Sequence, residues 1–183
     1  MSRADPMSLS RNLLPALGGG LLVTGGLASG AGAGEVRVSV TLPRIDAAPY
    51  YRPYLAAWVE TPEGDPAATL AVWYDTRLRD NIGTGFLRNL RSWWRATGEE
   101  MTLPADGVSG PTRGPGTYDL AFDTETGPLA GLAPGPYRLA VEVAREDGGR
   151  DLVRLPLDLT GDASEETGEG AEELGRVTLA VEP

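Results

Sequence analysis

From residue 35 onward the chain alternates apolar and polar side chains with a period of two. Val36, Val38, Val40 and Leu42 are separated by Arg37, Ser39 and Thr41, the pattern of a strand with one buried face. Pro43 ends that run. Leu55 to Glu60 and Thr69 to Tyr74 follow, separated by a polar turn from Pro62 to Pro66, and predict a hairpin around Trp58 and Trp73. Further strands are predicted over Tyr118–Phe122, Tyr137–Val143, Val153–Leu159 and Val177–Val181, with Pro156 marking an edge. Glu146-Asp147-Gly148-Gly149-Arg150 reads as a tight turn in which glycine takes positive φ.

Between Thr84 and Gly98 the period changes to that of a helix. Phe86, Leu87, Leu90, Trp93 and Trp94 share one face, and Arg88, Arg91 and Arg95 line another. Thr84 is the expected N-cap and Gly98 the C-terminal stop. Such a helix is expected to plug the open end of a sandwich. Seven short strands and one short helix predict a mainly all-β fold, an immunoglobulin-like antiparallel β-sandwich over residues 34–183. Its expected core includes Val38, Val40, Trp58, Tyr118, Leu120, Leu139, Val141, Leu155 and Leu179. The acidic, Gly-rich stretch from Gly161 to Gly175 is expected to be a mobile loop. Its Asp162, Glu165, Glu166 and Glu169 follow no calcium-loop order, so no metal site is assigned.

Composition narrows the chemistry. A chain of 183 residues, 41% of them apolar, buries one ordinary core. The net charge is −10 and every basic residue is Arg, which argues against nucleic acid or an anionic membrane as partner. There is no Cys, so disulfides, thiolate nucleophiles and iron–sulfur ligation are excluded. There is no His, so triads with an imidazole base and His-bound zinc are excluded as well.

Residues 1–33 read as a secretory signal peptide. Arg3 and Arg11 form a positive n-region, Leu13 to Ala28 an apolar segment loosened by glycines, and Ala31-Gly32-Ala33 a small-x-small cleavage site. Neither a twin arginine nor a lipobox cysteine is present, so export by the general secretory route to the periplasm is expected, with no transmembrane span in the mature chain.

Candidate chemistry concentrates in Asp106-Gly107-Val108-Ser109-Gly110-Pro111-Thr112-Arg113, followed by Gly114-Pro115-Gly116. Glycines and prolines at this density predict a loop that presents Ser109 and Thr112 with little bulk around them. The stretch resembles the acceptor motif of extracytoplasmic flavin transferases, which join FMN through its phosphate to a Thr or Ser hydroxyl. That motif runs Asp, two variable residues, Ser or Thr, Gly, Ala, then the accepting Thr or Ser. Asp106, Ser109, Gly110 and Thr112 fall on its positions, and Pro111 stands in place of Ala.

The order Pro53 to Glu60, Thr69 to Tyr74 and Leu90-Arg91-Ser92-Trp93-Trp94-Arg95 resembles a predicted periplasmic bacterial family, domain of unknown function twenty-two seventy-one. The likeness continues at Asp106 to Thr112, Arg145 to Arg150 and Leu174 to Leu179. Tyr51 and Asp147 stand where many relatives are expected to carry His. The resemblance implies a setting of flavin transferases and PepSY-type membrane proteins, connected with electron export and with iron uptake or reduction. It implies an electron carrier rather than an enzyme with its own turnover, with FMN on Thr112, Asp106 and Ser109 orienting the segment, and Gly110 baring its backbone. Trp93, Trp94, Tyr50, Tyr51 and Arg113 are the available contacts for a flavin ring. The alternative is a non-catalytic immunoglobulin-like binding or accessory module for a membrane partner, a role this kind of fold serves often.

Overall fold

The computed structural model describes residues 34–183; the leader and its cleavage site lie outside the described residues. Nine strands are present: β1 (Glu35–Leu42), β2 (Tyr54–Glu60), β3 (Pro66–Tyr74), β4 (Ser109–Pro111), β5 (Gly116–Asp123), β6 (Pro136–Ala144), β7 (Arg150–Asp158), β8 (Ser164–Glu169) and β9 (Arg176–Glu182). They form a β-sandwich of two sheets, ordered β5-β1-β9-β8 and β4-β3-β2-β6-β7. All pairings are antiparallel except β3 with β4, which run parallel. The alternation in β1 is realised directly: Val36, Val38, Val40 and Leu42 point inward against Leu55, Ala57, Val59, Leu139, Val141 and Val143 of the other sheet. Each such side chain contributes about 1.5–3 kcal/mol when fully withdrawn from water.

The five-stranded sheet is covered on its second face too. Tyr54, Ala56, Trp58, Val72, Tyr74 and Ala140 pack there against Leu87, Leu90 and Trp93. With both faces covered, every residue of β2 is buried, which explains its unbroken apolar run. The covering layer consists of a 3-10 stretch (Arg79–Asn89), one α turn (Arg91–Trp93) and one π turn (Trp94–Gly98). The expected apolar face is therefore present, on a less regular helix. It lies flat on the sheet and does not plug the sandwich end. It begins earlier than Thr84, whose hydroxyl donates to Asn81 O at 2.8 Å and caps nothing. Asp80 and Asn81 adopt left-handed φ values of 54° and 56°, which interrupts the first turns.

What fixes this layer is Glu142 of β6, a fully buried carboxylate. It accepts from the backbone N–H of Ser92 (3.0 Å) and Trp93 (2.9 Å), and from Arg150 Nη1 at 2.6 Å.

Two further expectations are corrected. The segment from Asp106 to Gly116 is only partly loop, because Ser109–Pro111 adds to the edge of the sheet as β4. A strand this short accepts Gly and Pro because it lies at an edge. The segment 161–175 is not a free loop: Ser164–Glu169 pairs with β9 along its whole length. Its composition is polar because it too is an edge strand, where charge discourages further pairing. Gly168 allows its close packing, since a Cβ there would come within 2.8 Å of Val153. In the turn after β6, Asp147 takes the positive φ (50°) and the two neighbouring glycines do not. Seven of the nine expected core residues are buried; Tyr118 and Leu120 are half-buried because β5 is the outer strand of its sheet.

Leu139→Ala is expected to destabilise by about 2–5 kcal/mol in urea unfolding, and Leu120→Ala by clearly less. Glu142→Ala is expected to cost about 3 kcal/mol and to expose 79–98 to limited proteolysis while the sheet signal in circular dichroism persists.

Candidate functional site

Strand order assembles the site at one end of the five-stranded sheet. Register places Pro111 of β4 beside Tyr74 of β3, and Tyr54 of β2 beside Ala144 of β6. Just past these residues come Thr112, Asp75, Arg52 and Glu146, which the sequence keeps far apart. Together with Tyr50, Tyr51, Tyr54, Arg77 and Pro111 they line a cleft of about 330 Å³.

Thr112 is held there by its backbone. Val72 N donates to Val108 O (2.9 Å) and Thr112 N to Tyr74 O (3.1 Å). In an extended strand these bonds turn residues 108, 110 and 112 toward β3, so the nitrogen of Pro111 faces away from the sheet. Its missing N–H therefore leaves no gap in the ladder.

The other expected site residues have local duties. Ser109 Oγ accepts from Ala105 N at 3.0 Å, and Asp106 Oδ1 from Gly107 N at 3.1 Å, so both shape the turn that leads into β4. Gly110 lies against Trp73, where a Cβ would come within 3.2 Å of the indole. The Arg113 guanidinium stands 4.3 Å from the Trp73 ring centroid and 4.9 Å from that of Tyr118. This is a cation–π stack on the protein's own rings. Trp93 is buried under the helical layer, and Trp94 packs against it and carries Arg88 at 5.6 Å. Of the expected contacts only Thr112, Tyr50 and Tyr51 line the cleft.

Arg52, Tyr54, Asp75, Arg77 and Glu146 were not singled out from sequence. The run Tyr50-Tyr51-Arg52-Pro53-Tyr54 carries a readable signal, an arginine set among tyrosines between two prolines. Asp75, Arg77 and Glu146 carry none, since only the strand order brings them in.

The cleft floor is firm. Tyr54 stacks on Phe86 with ring centroids 6.2 Å apart and donates its hydroxyl hydrogen to Glu146. Burial, then that carboxylate, pushes the Tyr54 phenol far above its usual range and keeps it a donor. Tyr50 lies 5.9 Å from the Arg145 guanidinium. Arg145 in turn forms a buried ion pair with Glu173, through Nε at 3.0 Å and Nη2 at 2.9 Å. Gly149 N adds a third bond to Glu173 at 2.7 Å. Behind Glu173, Asp151 Oδ2 accepts four consecutive backbone N–H groups, from Ala171 (3.0 Å), Glu172 (2.7 Å), Glu173 (2.7 Å) and Leu174 (3.0 Å). Among the described residues no three acidic side chains gather as a metal site.

A family model described as predicted periplasmic protein (DUF2271) matches residues 35–176, from the first residue of β1 to the first of β9. No curated protein and no solved structure matches the chain. Among the described residues no helix is long and apolar enough to cross a membrane.

The Asp151 carboxyl is the clearest titrating element of this support. Burial opposes its charge, but the four N–H donors prevail and hold it below the usual aspartate range. A depressed folded-state value stabilises above the unfolded value, near 4, and that stability fades as pH falls through the lower folded value. Wild type is therefore expected to be more stable than Asp151→Asn at pH 7. The gap should narrow only below about pH 4, as read by thermal melts across a pH series.

Proposed function

Because the chain belongs to the DUF2271 family of predicted periplasmic proteins, we propose that it works outside the cytoplasm as a carrier of FMN esterified to Thr112. The observation that carries this reading is the position of Thr112: the acceptor residue of the motif is also a wall of the aromatic, arginine-bearing cleft. A covalent flavin fits the residues present. A hydroxyl is available where thiol and imidazole are lacking, tyrosine faces flank it, and two guanidiniums stand beside it. Bound there, FMN supplies one- and two-electron chemistry at a fixed place on a small exported protein.

The chain's own part is to present the hydroxyl. The Ser109–Pro111 strand holds Thr112 at the sheet end, and the turn built by Asp106 and Ser109 brings the segment to that edge. The ester forms when Thr112 Oγ bonds to the phosphorus of an activated FMN donor. The donor's leaving group departs, and the hydroxyl proton passes to a base of the flavin transferase. That base belongs to the transferase, because this chain has no His and a hydroxyl is a weak nucleophile unaided. On this reading a PepSY-type membrane reductase supplies the electrons, in iron uptake or reduction, and residues 1–33 direct export before modification.

A specific feature favours the second reading, an accessory module for a membrane partner. Leu78 is 41% and Ile82 59% exposed on the turn that leaves the cleft at Arg77. Co-expression with a cognate flavin transferase separates the two. Wild type is expected to gain the mass of one FMN less one water and to fluoresce in denaturing gels. Thr112→Ala should gain neither while folding normally, and Pro111→Ala should be modified at least as well as wild type. An unmodified wild type beside a modified control substrate points to the accessory module.

A further inference from the structure

We infer that the cleft at the end of the five-stranded sheet is a docking site for a planar aromatic anion, and that its occupant is the ring and phosphate of the flavin on Thr112. This rests on the reading that Thr112 is the acceptor. Two features of the cleft select such a ligand. Tyr50 and Tyr51, 36% and 39% exposed, both line it and supply aromatic surface there. Arg52 and Arg77 line it as well, and among the described residues neither forms an ion pair. Asp75 and Glu146 make the lining formally neutral, yet among the described residues neither guanidinium donates a hydrogen bond, so their N–H groups are open to an acceptor such as a phosphate oxygen.

The two carboxylates of the cleft keep their charge, since their partners are neutral donors, but those bonds turn them toward the protein's own groups. Asp75 Oδ1 accepts from Arg77 N at 3.0 Å, and Glu146 accepts the Tyr54 hydroxyl hydrogen. Arg52 and Arg77 are thus the donors left to meet an incoming acceptor.

Position and rigidity agree. A group esterified to Thr112 Oγ starts on the cleft wall, so the tether sets a high local concentration without a long linker. Tyr50 rests on a guanidinium that Glu173 immobilises, so one ring face of the site is held in advance. At about 330 Å³ the cleft is at the small end of ligand sites.

Two measurements test the site separately from the ester. In flavinated protein, ring fluorescence is expected to be severalfold lower when folded than after proteolytic digestion. The double variant Tyr50→Leu/Tyr51→Leu should recover most of that intensity at an unchanged mass increment. In unmodified protein, titration with free FMN is expected to give saturable quenching. It should be weakened about tenfold, the equivalent of ~1.4 kcal/mol, in Arg52→Gln/Arg77→Gln. Flavinated wild type as bright folded as digested, or tyrosine variants identical to wild type, overturns the docking site and leaves the ester standing. Free FMN binding in the cleft of a chain that no transferase modifies overturns the ester and leaves the docking site standing. Circular dichroism of each variant establishes that the fold is retained.

Discussion

A carboxylate withdrawn from water must have its lone pairs filled and its charge answered, and on this sandwich the requirement is met by arginine each time. Glu142 is fully buried on the outer face of β6 and draws the α turn onto the sheet through the N–H groups of Ser92 and Trp93, with Arg150 as its counter-charge. Glu60 accepts from the Trp58 indole at 3.1 Å and from both arms of Arg154 at 2.8 and 3.0 Å. Glu173 takes Arg145 through two nitrogens. A chain whose basic residues are all Arg suits this use, since the planar fork fills two acceptor sites where an ammonium fills one at a time. The third layer, and with it the burial of β2 on both faces, depends on Glu142 being satisfied.

The same constraint reaches the cleft from behind. Asp151 gathers the 171–174 backbone, which places Glu173; Glu173 fixes Arg145; and Arg145 stands under Tyr50. Each step is a short contact between groups that cannot be left bare in a partly dry interior. The aromatic wall of the cleft is thereby tied to the far edge of the fold as well as to its own segment between Pro43 and Pro53. Tyr54, held by Phe86 and Glu146, ties the floor to the helical layer in the same way.

Much of this fold was legible in the sequence because alternation in β1, β6, β7 and β9 reports a buried face directly. β8 was not legible, because an edge strand with one face to solvent needs no apolar run, and Ser164-Glu165-Glu166-Thr167-Gly168-Glu169 reads as a polar loop. β4 was hidden for the opposite reason: its Gly and Pro are breakers inside a sheet but harmless on a three-residue edge. The helix face was correct, while its place on the sheet depended on Glu142, which no local pattern connects with residues 92 and 93. Of the cleft's lining, motif spacing singles out Thr112, and the aromatic run between Pro49 and Pro53 singles out Tyr50 and Tyr51. Arg113 was misleading, since a lone arginine in a Gly-rich stretch gives no sign that Trp73 and Tyr118 will stack on it.

Pro111 is where sequence and geometry are most usefully set against each other. In the motif it replaces a small residue and removes an N–H, which by itself argues against an acceptor. On the folded edge, however, that nitrogen faces out of the sheet, and the bonds that hold the segment come from Val108 O and Thr112 N. Proline at this position restricts φ to a value extended backbone already tolerates, so it stiffens the approach to Thr112 without loosening its attachment to β3. An enzyme that reads the segment through the outward edge meets no donor at 111 but does meet a rigid, extended strand ending in a hydroxyl at the cleft. On the proposed reading the substitution bears on how a transferase would dock, and not on the place of Thr112 in the cleft lining.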